Sequence, residues 1–236
     1  MEVRSLYQEP ERQEQVEWGA LELHDVFKIF RAGDTDVVAL RGLDMRIEHG
    51  ELVAILGPSG SGKTTLLHLA AGLDQPSAGE VRVSGRSLSR LDDSELAEYR
   101  AKELALVFQT GNLWPMLSAR ENVLLSLRLA GRSDRAAADE ALAHFGVADR
   151  AGHRAGALSG GEQQRVAIAA AAARKPPLVL ADEPTAELDE QNERIVLDEL
   201  QRLRADFGAT VVVVTHSPAV ARAADRVVEI RDGKVA

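Results

Sequence analysis

The chain contains no cysteine. Disulfides and thiolate-held metals are therefore excluded, and stability has to come from packing alone. Aromatic residues make up only 4% of the 236 positions, whereas apolar residues reach 45%, so a core must be assembled from aliphatic and alanine side chains. Positive charge is scarce too: 28 Lys and Arg face 37 Asp and Glu, a formal charge of -9. A field of that sign repels polyanions, which argues against nucleic acid or an anionic lipid surface as a direct partner. Long apolar runs are missing as well. The longest uncharged stretch, residues 104–119, is broken by Gln109, Thr110, Gly111, Asn112, Pro115 and Ser118 and does not read as a spanning helix. The opening MEVRSLYQEPERQEQVEW is acidic and polar, without the apolar segment of a secretory leader. The expectation is a cytosolic protein that meets a membrane only through a partner.

What is present is enough for one large domain or a domain with a subdomain. Residues 1–19 lack periodicity and read as a flexible tail. From Ala20, LELHDVFKIF alternates apolar and polar positions like a half-buried strand. VVALRGLDMRIEHGE continues as a second strand, and LVAIL is a short, wholly apolar one, the pattern of a strand buried on both faces. KTTLLHLAAGL reads as a helix ending at Gly72, EVRVSG as a strand, the segment after Asp92 or Asp93 as a capped helix, and LALVFQ as a strand. Residues 112–174 carry helical patterns and no strand signal. Strands return at LVLAD and VVVVTH, and the C-terminus reads as a hairpin turning at Asp232 and Gly233. The expectation is an α/β fold with a helical insertion over about 112–174 and no internal repeat.

Three segments carry chemistry. GPSGSGKT, from Gly57 to Thr64, lies between an apolar strand and a helix. In that context its glycines free backbone N–H groups to curl around a polyphosphate at a helix N-terminus, Lys63 reaches the terminal phosphates, and the Thr64 hydroxyl ligates Mg²⁺. LVLADEP then delivers Asp182 to the end of a buried strand, suited to holding Mg²⁺ through water, with Glu183 next to it as the base for an attacking water. VVVVTHS places His216 after the next strand, within reach of a γ-phosphate. The other histidines, His24, His49, His68, His144 and His153, have no such setting.

GPSGSGKT, Gln109 in VFQ, LSGGEQQR, LVLADEP, Asp189 in AELD and His216 occur in the order and spacing of ATP-binding cassette (ABC) ATPases, which the chain resembles over residues 20–236. The resemblance implies a P-loop NTPase with a RecA-like core, an N-terminal antiparallel β-subdomain and an inserted α-helical subdomain. It implies ATP and Mg²⁺ as cofactors, and a head-to-tail dimer, of two identical or two different cassettes, with two ATP molecules between the protomers. In that scheme Phe30 stacks on adenine, and Gly57, Ser59, Gly60, Ser61, Gly62, Lys63, Thr64 and Thr65 hold the phosphates. Gln109 contacts Mg²⁺ and the attacking water. Ser159, Gly160, Gly161 and Glu162 face the γ-phosphate bound by the other protomer, and Asp189 couples the two sites. Glu183, His216 and Gln109 form the hydrolytic set, with Thr64, Gln109 and Asp182 at the metal.

Within the family the chain looks most like the group serving lipoprotein release, macrolide export and cell-division mechanotransmission, on the strength of RAGDTDVVAL, HLAAGLDQPSAG and LVLADEPTAELD. That likeness implies an integral membrane permease as partner and a place at the cytoplasmic face of the cell membrane. NLWPMLSARENV, with Trp114, Pro115, Met116 and Leu117, is where an intracellular helix of such a permease would dock. Two positions depart from the pattern: Ala170 stands where many relatives carry arginine, and the loop before Asp189 opens on Ala186. Two other readings compete. A soluble ABC-type ATPase would act without a permease, and a P-loop kinase or GTPase would leave LSGGE without a purpose.

Overall fold

The computed structural model describes residues 17–33, 35–186 and 188–236; most of the expected tail, residues 1–16, lies outside them. Two sheets organise the chain. The first is antiparallel, in the order β2-β1-β4-β5, from β1 (Leu21–Ala32), β2 (Thr35–Ile47), β4 (Ala78–Val83) and β5 (Arg86–Ser87). The second has the order β10-β9-β3-β8-β7-β6, from β3 (Leu52–Leu56), β6 (Leu104–Val107), β7 (Leu178–Asp182), β8 (Thr210–Val214), β9 (Arg226–Arg231) and β10 (Lys234–Val235). Its strands are parallel except for β10, which closes a hairpin on β9. Asp232 and Gly233 take left-handed conformations at that turn, with φ of 49° and 77°.

The apolar runs are explained by two cores that share one sheet. Val53, Ile55, Leu178, Leu180, Val212 and Val214 point to a core shared with the antiparallel sheet, α1 (Lys63–Ala70) and α2 (Asp93–Lys102). Their alternates, Leu52, Ala54, Val179, Ala181, Val211 and Val213, point to a second core built with the remaining long helices. Each central strand is thus buried on both faces, as its continuous apolar reading requires. Tyr99 closes the first core: its hydroxyl donates to the Ala70 carbonyl at 2.7 Å, and burial pushes its pKa well above the usual phenol value.

The stretch 112–174 folds as α3 (Ala119–Leu129), α4 (Arg135–His144) and α5 (Gly160–Ala172), with no strand among its described residues. The run of alanines in α5 presents almost no side-chain bulk, so α3, α4 and α6 (Glu190–Phe207) can all pack closely on it. Buried Ala170 accepts a bond from Ser126 at its carbonyl, 2.8 Å away. At the end of α5, Arg174 donates to the carbonyls of Arg100, Ala101 and Leu104, tying the helix to α2 and β6. The last helix is α7 (Pro218–Ala223). Trp18, expected in the tail, packs on the antiparallel sheet: its ring lies 4.6 Å from the Arg82 guanidinium and rests against Gly85, where a Cβ would come within 2.5 Å of the indole.

Candidate nucleotide site

The glycine-rich loop leaves β3 and enters α1. Gly62 caps the helix at φ 102°, and a Cβ there would sit 2.5 Å from the Ala39 carbonyl oxygen, so β2 is drawn against the loop only because the residue is glycine. Gly60 is also left-handed, at φ 79°, and faces open space. Lys63 is 9% exposed; its ammonium bridges the loop by donating to the carbonyls of Gly57 at 2.7 Å and Pro58 at 3.0 Å. Ser61 turns the other way: its N–H donates to Pro58, and its hydroxyl is buried with no hydrogen-bond partner. Its side chain is therefore not brought to the phosphate cradle.

Facing the loop are the ends of β7 and β8. Asp182 is the last residue of β7, where burial raises its pKa above the ordinary carboxylate value while a hydrogen bond from Thr64 opposes the shift. Glu183 breaks from the strand at φ 47°, a conformation costly for a residue with a side chain. That turn points the two neighbouring carboxylates in different directions. Glu183 Oε1 lies 3.0 Å from His216 Nδ1, and Glu183 Oε2 accepts the His216 N–H at 3.3 Å. Together with Ser59, Gly60, Gly62, Thr65, Gln109 and Ala186 these groups line one cleft of about 430 Å³.

The signature segment is elsewhere. Ser159 caps α5 in a reciprocal box with Glu162: each side chain bonds the other's backbone N–H, and the Ser159 hydroxyl also reaches Glu162 Oε2 at 3.1 Å. Arg150 donates to the other Glu162 oxygen at 2.7 Å. These bonds, the Ser159 N–H first, hold the Glu162 pKa down to about 2. None of Ser159, Gly160, Gly161 or Glu162 lines the cleft of the phosphate loop, and Asp189 caps α6 outside it. Phe30 stands 42% exposed on β1 with the Lys28 ammonium 5.0 Å from its ring centre, and it too lies outside the lining.

Gln109 borders both this cleft and a second one, of about 270 Å³, bounded by Gly160, Gln163 and Leu188. The segment behind it is held by residues the sequence did not single out. Asn112 exchanges two bonds with the Phe108 backbone, at 2.7 and 2.6 Å, and donates to Gln164 of α5 at 3.2 Å. Gln164 is only 6% exposed. A polar side chain on the buried face of an alanine-rich helix was the available signal for it; Arg150 offered none.

Residues 40–186 match the ABC transporter family. The chain belongs to the ABC transporter family. Over 218 residues the cassette is 44% identical to the lipoprotein-releasing system ATP-binding protein LolD of Geobacter metallireducens, covering 91% of this chain and 97% of that one. It is 46% identical over 218 residues to the macrolide export ATP-binding/permease protein MacB of Rhodopseudomonas palustris, again covering 91% of this chain but spanning only 33% of that protein's length. Among solved structures, the dimeric post-hydrolysis state of the ATP-binding cassette MJ0796 bound to ADP and Pi aligns with a TM-score of 0.85 at 41% identity, covering 91% of this chain and 96% of that one. The cassette is thus an ABC-type ATPase of the MacB and LolD kind. The P-loop α/β fold expected from the sequence is the one observed, and membership of the family leaves no place for the kinase or GTPase reading.

Proposed function

We propose that the chain is the ATP-hydrolysing subunit of a membrane complex, working as a head-to-tail dimer that encloses two Mg²⁺-ATP and drives an integral membrane permease. The observation that carries this reading is the separation within one protomer. The phosphate cleft holds Lys63, Thr64, Asp182, Glu183 and His216, whereas Ser159 and Gly160 lie exposed on another subdomain. Each half lacks what the other supplies, and two copies in opposite orientation complete both.

The residues present fit the cofactors. Asp182 carries a desolvated carboxylate beside the Thr64 hydroxyl, and among the described residues no cluster of three or more His, Cys, Asp or Glu side chains is placed to hold a metal. One carboxylate, a hydroxyl and the Gln109 amide oxygen are hard ligands of the kind Mg²⁺ uses together with phosphate oxygens. The bound ion would offset negative charge on the β- and γ-phosphates. Lys63 would move from its two carbonyls to the phosphates, and backbone N–H groups around Gly60 and Gly62 would take the remaining oxygens. Glu183 would accept the proton of the attacking water, with His216 keeping its carboxylate oriented. Phe30 would stack on adenine, and the Ser159 hydroxyl and α5 N-terminus of the second protomer would close on the γ-phosphate.

Coupling to a permease is supported by exposed apolar side chains where the helical subdomain meets the core. Trp114 is 67% and Met116 71% exposed, beside a recess of about 180 Å³ that Leu113, Leu129 and Ala170 help to line. No helix among the described residues is long and apolar enough to cross a membrane, so membrane attachment in this reading is peripheral, on the cytoplasmic face and through the permease.

Glu183→Gln tests the assignment. ATP binding should persist, turnover should fall by roughly 10²-fold or more as expected on losing a general base, and the protein should accumulate as an ATP-bound dimer in sedimentation. Wild-type turnover in that variant would overturn the role given to Glu183.

A further inference from the structure

Glu183 and His216 sit on two separate turns, one leaving β7 and the other leaving β8. Their mutual geometry depends on whatever holds those turns together. Glu193, in the first turn of α6, does so with a single oxygen: its Oε1 accepts the Ser217 hydroxyl at 2.5 Å and lies 3.4 Å from the Thr185 hydroxyl. Ser217 immediately follows His216, and Thr185 comes two residues after Glu183. The Ser217 oxygen also caps α7 by accepting the N–H groups of Ala219 and Val220, at 3.1 and 3.4 Å. Its proton is therefore directed at Glu193 while its lone pairs serve the helix.

The other end of the connection is the dimer-facing corner. The Glu193 N–H donates to the Asp189 carbonyl at 2.8 Å, and the Leu188 N–H donates to the Thr185 carbonyl at 3.1 Å. Asp189 caps α6 through Asn192, whose side-chain oxygen is 2.5 Å from where a Cβ on Gly161 would lie. The two turns bearing Glu183 and His216 thus meet at the Glu193 carboxylate, and the start of α6 that carries it also packs, through Asn192, against Gly161 of the signature helix.

We infer that Glu193 is a positioning residue for hydrolysis, which fixes the Glu183–His216 pair through Ser217 and Thr185 and ties its geometry to the position of Asp189. The inference rests on the roles assigned above to Glu183 and His216. A charge-assisted bond to a carboxylate is shorter and stronger than one between neutral groups, and a catalytic pair loses rate steeply when its relative placement slips by about 1 Å. Glu193 touches neither phosphate nor metal in this scheme, so its loss should act on the chemical step and spare ATP affinity.

The test compares the full chain with Glu193→Ala, Glu193→Gln, Ser217→Ala and the Glu193→Ala/Ser217→Ala double variant, reading kcat, KM and equilibrium ATP binding, with Glu183→Gln alongside. Glu193→Ala should lower kcat about tenfold and leave KM and ATP binding within about twofold. Glu193→Gln, which keeps an acceptor oxygen, should retain activity to within about threefold of wild type. The double variant should be no slower than the slower single one, because both substitutions break the same bond. Additive losses, or a parallel fall of kcat and ATP binding, would overturn the inference, as would wild-type kcat in Glu193→Ala beside an inactive Glu183→Gln. Normal turnover in Glu183→Gln would instead bring down the site reading itself, and this inference with it. Ser217→Ala removes the same bond from its other partner and should also lower kcat while sparing ATP binding, so it reports on the bond even if the Glu193→Ala variant folds poorly.

Discussion

Asp182 holds a negative charge in surroundings that disfavour it. Burial raises its pKa, and Thr64 only partly compensates. For a carboxylate, a folded pKa above the unfolded one means that ionisation costs stability, absent in acid and fully felt at neutral pH. Asp182→Asn should therefore raise the melting temperature of the nucleotide-free protein, by roughly 2–4 °C if the relief is near 1 kcal/mol. It should also abolish the extra stabilisation that Mg²⁺ adds to ATP, so thermal melts with and without Mg²⁺-ATP check both parts. Glu162 behaves in the opposite sense. Bonds from the Ser159 N–H and Arg150 hold its pKa down to about 2, so it contributes stability above the ordinary carboxylate value of about 4.5 and loses that contribution as pH falls toward 2. The advantage of wild type over Glu162→Gln in urea midpoint should be constant from pH 7 to about 5 and shrink steadily below pH 4.5. An advantage independent of pH would mean that Glu162 acts through shape and not charge. Residues of this kind were legible where their motif is contiguous, as with Lys63, Asp182 and Glu183. Arg150 and Glu193 were not, since their significance lies in bonds to Glu162 and Ser217, 12 and 24 positions away.

The elements carry their own logic, and α5 states it most clearly. Its two leading glycines face different surroundings. A Cβ on Gly160 meets nothing within 4 Å, whereas one on Gly161 would strike the Asn192 side chain at 2.5 Å. Gly160→Ala should leave the protein as stable as wild type or slightly more so, because alanine is the better helix former by up to about 1 kcal/mol, yet lower ATP turnover by obstructing the approach of a second protomer's phosphate. Gly161→Ala should lower the melting temperature by disturbing the contact between α5 and α6. Equal thermal effects of the two substitutions would refute this division of labour. A capping signal made α2 readable in advance, at Asp92 with Glu95; Ser118 with Glu121 and Ser159 with Glu162 form the same reciprocal box in the structure. The order of the strands was harder to foresee. β9 lies beside β3, although most of the chain separates them in sequence, and no local pattern encodes which edge a late strand joins. The same holds for Trp18, read as part of the tail: its packing on Arg82 of β4 is set by a residue distant in sequence.

At the scale of the whole molecule, the proposed dimer makes this cassette one half of a machine. No helix among the described residues is long and apolar enough to cross a membrane, and the surface divides the phosphate cleft from the signature serine. That division was visible in the sequence as two glycine-rich motifs about a hundred residues apart; that the two face different clefts in one protomer required the fold. The most direct measurement mixes two inactive variants. Lys63→Ala disables the phosphate loop and spares α5, while Gly160→Asp places a negative charge in open space at the tip of α5 and spares the loop. Each alone should be inactive, since every site of its dimer lacks one half. An equimolar mixture should regain about a quarter of wild-type turnover, because half of randomly paired dimers hold one copy of each and such a dimer has one intact site of two. A mixture as inactive as its components, or full turnover by either variant alone, would contradict the claim that each ATP site is built from two protomers.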